Sequence, residues 1–394
     1  MSATSTDQIY QLVVLRVGQD DWASEVEQAV REQCRRILRH DSMLVRVETI
    51  AAASAADAPT AVVLLGSETA ASSPDVASAV EAARASTFPI LPLVRPNGKV
   101  SELLPASVGR LNAVRWGEGN ISLEILRTLG LIERDRKLFL SYRQSESSAL
   151  AIQLRRALSE RFYDVFLDRF SVPPGDDFQA RIDVELADKA FVLLIESPGA
   201  VGSEWVQHEV AYALSHQIAV LAIATPGVDV KEQFEVIDDA FRVTLRGEDF
   251  DRPFSREAQL VDETLARILA EVEVRYAQQV RRRYVQLLGS TTDFLRDAGY
   301  ERTPLTGWAV AASRKGKSQV FLVTANAPLA RDLRHADCLR EELAAELGAD
   351  AVEGAVVVHR TPNTDADALA LVEWIAHGRP LSMVDLSRLP ERIA

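Results

Sequence analysis

The runs TAVVLLGS (60–67), FVLLIES (191–197) and IAVLAIA (218–224) are apolar on consecutive residues rather than alternate ones. A strand with one wet face alternates polar and apolar side chains. A strand apolar throughout is covered on both faces, the situation of a parallel sheet with helices above and below it. The segments between such runs carry helical spacing, among them WASEVEQAVREQCRRILR (22–39), PDVASAVEAARAS (74–86), ESSALAIQLRRALSE (146–160) and SEWVQHEVAYALSH (203–216). The chain is therefore expected to be α/β.

This rhythm occurs twice, over residues 8–130 and 136–272. The two blocks read as a degenerate repeat: VVLRVGQ (13–19) aligns with LFLSYRQ (138–144), AVVLLGSETAASSPDVASAVEAA with FVLLIESPGAVGSEWVQHEVAYA, and FPILPLV with IAVLAIA. Ser255 to about Arg296 reads as helical, with Arg281, Arg282 and Arg283 on a solvated face. A third block, 284–394, offers YVQLLGSTTDFLRDAGY, then a hairpin in WAVAASRKGKSQVFLVTAN turning near Lys315–Gly316. Helix CLREELAAELG, strand GAVVVHR, helix ADALALVEWIAHG and strand LSMVDL follow. Two or three domains suit 394 residues.

A net charge of −13 argues against bulk affinity for nucleic acid or anionic membranes. MSATSTDQIY is not a signal sequence and no 18-residue apolar stretch occurs, so a cytoplasmic protein is expected. Two cysteines, Cys34 and Cys338, fit a reducing compartment. GKS at Gly316–Ser318 lacks the leading glycine of a phosphate loop, since Ala311 stands there, and it falls in a hairpin turn. His208–Glu209 lacks the second histidine of HExxH, Tyr212 taking its place. His335 and Cys338 lack further ligands for zinc, so no metal and no cofactor are expected.

The helix from Ser203 carries chemistry of its own. Ser203 suits an N-cap and Glu204 the positive helix end. Trp205 and Glu209 are one turn apart on one face, beside an apolar stripe of Val206, Val210, Ala213 and Leu214. They lie just beyond the carboxyl end of strand FVLLIES, the edge where open α/β sheets bind ligands. A screened carboxylate beside an indole suits a developing positive charge, such as the oxocarbenium-like centre of N-glycosidic cleavage. A solvated glutamate on a helix packed by its tryptophan is the alternative.

Phe139-Leu140-Ser141-Tyr142-Arg143 resembles the first motif box of Toll/interleukin-1 receptor (TIR) domains. Asp168 followed by RFSVPPGDDF resembles their second box and BB loop. SPGAVGSEW with Glu209 resembles the stretch holding the catalytic glutamate of bacterial NAD-cleaving members. The resemblance implies a flavodoxin-like fold with a parallel sheet of about five strands, Glu209 as catalytic residue, and NAD+ as substrate rather than cofactor. It further implies that Trp205 shapes the pocket, that Ser203 belongs to the substrate-binding set, and that Tyr142, Arg143 and the BB-loop residues Arg169, Pro174, Gly175 and Phe178 contact the dinucleotide. Pro173 departs from the acidic residue of some animal members. The implied activity is hydrolysis or cyclisation of NAD+, governed by self-association and an unknown trigger, in antiphage defence. The rival is a non-enzymatic TIR scaffold.

In the internal alignment Ser141 meets Arg16, Trp205 meets Asp75 and Glu209 meets Ala79, so the first block reads as a TIR-like pseudo-domain without the chemistry. The third block resembles an Mrr-like restriction-endonuclease fold. Its strands GWAVAA and VFLVTA lack the carboxylates such a nuclease uses to hold metal, which implies an inactive domain.

Overall fold

The computed structural model describes residues 10–18, 21–38, 43–47, 60–86, 88–108, 113–117, 121–129, 136–167, 182, 185–186, 188–189, 191–229, 234–238, 241–305, 308–360 and 366–393. The chain divides into two compact units. One comprises residues 132–283 with 361–365. The other comprises 1–131, 284–360 and 366–394.

In the second of these, β1 (Tyr10–Leu15), β2 (Met43–Val47), β3 (Thr60–Leu65), β4 (Ile90–Val94) and β5 (Val114–Arg115) form a sheet in the order β2-β1-β3-β4-β5. Every pairing is parallel. All residues of β1 and β3 are buried, as continuous apolar runs require. Helix α1 (Trp22–Leu38) and a short helix α2 (Glu68–Ser72) precede α3 (Pro74–Ala85). Pro74 stands in the first turn of α3 and the Ser73 hydroxyl caps Val76 N, the start its sequence favours. β5 has two residues and no apolar run to mark it, and so was not expected.

In the other unit, β6 (Lys137–Tyr142), β7 (Asp164–Phe166), β8 (Phe191–Glu196), β9 (Ala219–Ala224) and β10 (Arg242–Thr244) take the order β10-β9-β8-β6-β7, again all parallel. Read from its other edge this is the order of the first sheet, and both are flavodoxin-like. The aligned runs of the repeat occupy matching strands, β1 with β6, β3 with β8 and β4 with β9, but the β1 alignment is off by one residue: Leu15 pairs with Leu64 as Ser141 pairs with Leu194, so Leu15 and not Arg16 stands at the position of Ser141.

One face of the second sheet packs Leu138, Leu140, Tyr142, Leu193 and Ile195 with residues 150–158 and 268–276. These belong to α4 (Gln144–Ser159) and to α6 (Asp262–Asp297). The opposite face packs Phe139, Val192 and Leu194 beneath Val206, Val210 and Ala213 of α5 (Glu204–Ser215). The helix expected to open at Ser255 begins instead at Asp262. Phe250 and Leu260 form an antiparallel bridge, and the Gln153 amide bonds both the N–H and the carbonyl of Leu260. The solvated reading of the arginine triplet is corrected at Arg283, which is buried and donates to Lys189 O at 3.4 Å.

The last sheet runs β11-β12-β13-β14-β15, comprising Glu301–Pro304, Ala309–Arg314, Lys317–Val323, Val352–His359 and Leu381–Asp385. β11, β12 and β13 are antiparallel, while β13, β14 and β15 are parallel. Lys315 (φ 56°) and Gly316 (φ 77°) make the β12–β13 turn. Positive φ at both central residues suits a tight hairpin and gives GKS a structural role. The helix Ala330–Leu347 (α7) connects β13 to β14. Among the described residues, no three His, Cys, Asp or Glu side chains group as a metal site, and no helix is long and apolar enough to cross a membrane.

A buried ion pair anchors α6 to the start of β6. Arg136 and Glu273 are both fully buried and meet through two bonds, of 2.7 and 2.5 Å. Tyr163 donates to the same carboxylate at 3.0 Å, and the Arg136 guanidinium stacks 3.8 Å from the Tyr163 ring. Burial pushes the Tyr163 phenol well above its ordinary range, against the pull of Arg136. Removing one partner leaves a charge in a dry interior. Glu273→Gln is therefore expected to cost about 3–5 kcal/mol in denaturant unfolding, with Tyr163→Phe costing about 1 kcal/mol. Loss of less than about 1 kcal/mol in Glu273→Gln would contradict this anchoring.

Glu342, on α7, is raised to about 7, chiefly by burial, with Arg84 pulling the other way. Its unfolded-state value is lower, so the native state holds a proton that the unfolded state releases. Its contribution to stability falls as pH rises from the ordinary carboxylate range to about 7, where the cost of ionisation is complete. Glu342→Gln should raise the thermal midpoint above pH 7 and lose that advantage below pH 4.5, with partial exposure moderating the size. An equal effect at both pH values would contradict the burial argument.

Candidate active site

β6 and β8 pair in parallel with Ser141 beside Leu194 and Tyr142 beside Ile195. Their carboxyl ends therefore lie side by side at the point where strand order reverses, the usual position of a ligand crevice in an open α/β sheet. Strand alternation sends Ser141 to the α5 side with Phe139 and Leu194. Tyr142 goes to the other side, among Leu140 and Ile195.

Glu209 is 5% exposed, far more buried than the marginal position its sequence suggests. The Ser141 hydroxyl donates to its Oε2 at 2.5 Å. Helix and strand therefore meet at this hydrogen bond. Trp205, one turn earlier, is 51% exposed. The face thus runs from an accessible indole to an enclosed carboxylate. Of the expected apolar stripe, Val206, Val210 and Ala213 are buried and Leu214 is not. Tyr212 takes the buried place, its ring stacked on His216 at 4.1 Å.

Ser203 occupies the N-cap position of α5, but its side chain makes no cap bond. This corrects the capping role its residue type suggested. The helix entry is instead fixed through the loop before it. Glu146 receives Arg143 Nη1 at 2.7 Å on one oxygen and Gly199 N at 2.9 Å on the other. A Cβ at Gly199 would overlap the Arg143 guanidinium, so a side chain there would displace Arg143 from its bond to Glu146. The loop turns through Ala200 N to Ser197 O, 2.8 Å, and Ser203 N to Ala200 O, 3.0 Å. The Gln207 side-chain amide donates to Val201 O.

At the end of β8, Glu196 is fully buried. It accepts from Phe234 N and Arg242 Nε, both at 2.9 Å. Arg242 also donates to Phe234 O at 3.0 Å. This set ties β8 and β10 to the segment that precedes β10.

The structure therefore brings Arg143, Ser203, Trp205 and Glu209 to the carboxyl end of β6 and β8, and turns Tyr142 to the opposite face. Arg169, Pro174, Gly175 and Phe178, with Asp168 and Pro173, lie outside the described residues. Glu146, Glu196 and Arg242 are site neighbours that were not singled out from the sequence, and Ser141 was marked only by the first motif box and the internal alignment. A polar residue late in the apolar strand KLFLSY and a charge closing FVLLIE were the available signals. In the first sheet, Ala79 at the position aligned with Glu209 is buried among Val76 and Val80, so no carboxylate stands there.

No curated protein matches the chain. Among solved structures, a protein from Silicibacter pomeroyi DSS-3 provisionally assigned as a phosphosugar isomerase is 13% identical, with 70% of this chain and 86% of that one covered. The TM-score is 0.19, and that likeness carries no argument about fold or activity. Residues 138–258 match the family model described as TIR domain. That segment holds β6 to β10, the buried Glu209 and the loop that positions α5. The chain thus carries a TIR domain at residues 138–258.

Proposed function

We propose that the TIR domain of this chain cleaves the nicotinamide–ribose bond of NAD+, with Glu209 as the catalytic carboxylate. The observation that carries this reading is Glu209 itself, a carboxylate enclosed on a helix at the ligand edge of the sheet, one turn from a half-exposed tryptophan. Family membership alone is equally compatible with a non-enzymatic adaptor. A surface used only for TIR–TIR pairing has no need of a buried carboxylate at the mouth of the sheet.

The chemistry follows from charge. As the bond to nicotinamide breaks, positive charge grows on the ribose C1 and its ring oxygen, while the pyridinium nitrogen recovers its electron pair. A fixed carboxylate in a water-poor site stabilises that charge more than the ground state, which lowers the barrier. Water then adds to C1 to give ADP-ribose, or the adenine of the same molecule adds to give a cyclic product. The Trp205 indole offers a flat face for the nicotinamide ring. Arg143 supplies a guanidinium for the pyrophosphate, at the cost of sharing it with Glu146. We place this activity in antiphage defence, switched on by self-association.

Nicotinamide release from NAD+ is expected from the full chain, rising more than proportionally with protein concentration. Glu209→Gln is expected to reduce kcat by about 1000-fold or more, the scale of losing the principal electrostatic stabiliser, with the circular dichroism spectrum retained. Trp205→Ala should raise KM. Release by Glu209→Gln at the wild-type rate would remove Glu209 from the mechanism. Silence of the wild-type chain at every concentration, with or without phage challenge in cells, would favour the adaptor.

A further inference from the structure

We infer that Ser141 is a positioning residue for Glu209, its hydroxyl setting the direction of the carboxylate; this rests on the reading of Glu209 as the catalytic group. Ser141 is 1% exposed near the end of β6, and a buried hydroxyl needs a partner. It finds one 68 residues away in sequence, donating to Glu209 Oε2 at 2.5 Å.

The geometry makes the bond directional. The Ser141 backbone is fixed by sheet pairing beside Leu194, and its side chain is short. Glutamate has three rotatable side-chain bonds, and a position on α5 alone would allow several directions for the carboxylate. Phe139 and Leu194 of the sheet and Val206 and Val210 of α5 pack on the same side. The Ser141 bond therefore ties the carboxylate to the sheet as well as to the helix that carries it. This matters for catalysis because reacting groups tolerate little misplacement. The first block agrees: Leu15 pairs with Leu64 as Ser141 pairs with Leu194, and Ala79 stands at the position of Glu209, so hydroxyl and carboxylate are absent together.

The test uses the full chain as wild type, Ser141→Ala, Ser141→Thr and Glu209→Gln. Ser141→Ala is expected to lower kcat by about 10- to 100-fold while KM stays within about twofold, the signature of lost transition-state alignment. Ser141→Thr, which keeps the hydroxyl on a residue suited to strands, should recover most of kcat. Equal thermal midpoints exclude a general folding defect. Independently of turnover, the antisymmetric carboxylate stretch that disappears in Glu209→Gln is expected to shift in infrared difference spectra of Ser141→Ala. Wild-type kcat in Ser141→Ala, or a threonine variant as poor as alanine with the fold intact, would overturn the inference while leaving a Glu209-dependent activity standing. An unmoved Glu209 band in Ser141→Ala would overturn it even if the chain cleaves no NAD+. A silent wild type with a displaced band would instead sink the catalytic reading and leave the positioning contact established.

Discussion

Parallel pairing of β6 with β8 is the constraint on which the TIR site depends. It aligns the carboxyl ends of two strands whose residues are buried throughout, and it does so where strand order reverses. Ser141 on one strand and Glu196 on the other then fall on the same face as α5. A slip of one residue in β6 would exchange Ser141 for Tyr142 or Leu140 on that face, removing the hydroxyl beneath Glu209. Apolar burial enforces the register, because the same slip would move Phe139 out of its cluster.

Three buried carboxylates among the described residues of the unit 132–283 are held in different ways. Glu273 meets Arg136 through two bonds and Tyr163 through a third. Glu196 is met by Arg242 and a backbone N–H. Both sets hold loops and helices to the sheet, and would leave a costly orphan if broken. Glu209 accepts from the neutral hydroxyl of Ser141 and stands beside an indole open to solvent.

Much of this was legible in the sequence, for definite reasons. Continuous apolar runs announced parallel strands, and helical spacing announced the layers covering them. The Lys315–Gly316 turn was legible from its residues. β5 and β11 were not, being short edge strands without apolar runs, and the start of α6 was moved by the Phe250–Leu260 bridge. The face carrying Trp205 and Glu209 followed from helical spacing, yet how deeply Glu209 is enclosed depends on tertiary packing. Its bond to Ser141 spans distant segments and no local pattern encodes it. Alternation along KLFLSY does separate Ser141 from Tyr142, so the opposite direction of the tyrosine was implicit in the strand. Capping by Ser203 failed because the loop's own turns and the Glu146–Gly199 bond already fix the helix entry.

The central claim is that the Trp205–Glu209 face receives the nicotinamide end of NAD+. Saturation-transfer NMR on Glu209→Gln, which should bind without turning over, tests this most directly. The account predicts strong saturation of the nicotinamide protons of NAD+, lost when Trp205→Ala is added to the same protein. Saturation confined to the adenine protons, or nicotinamide contacts unchanged by the loss of Trp205, would contradict it.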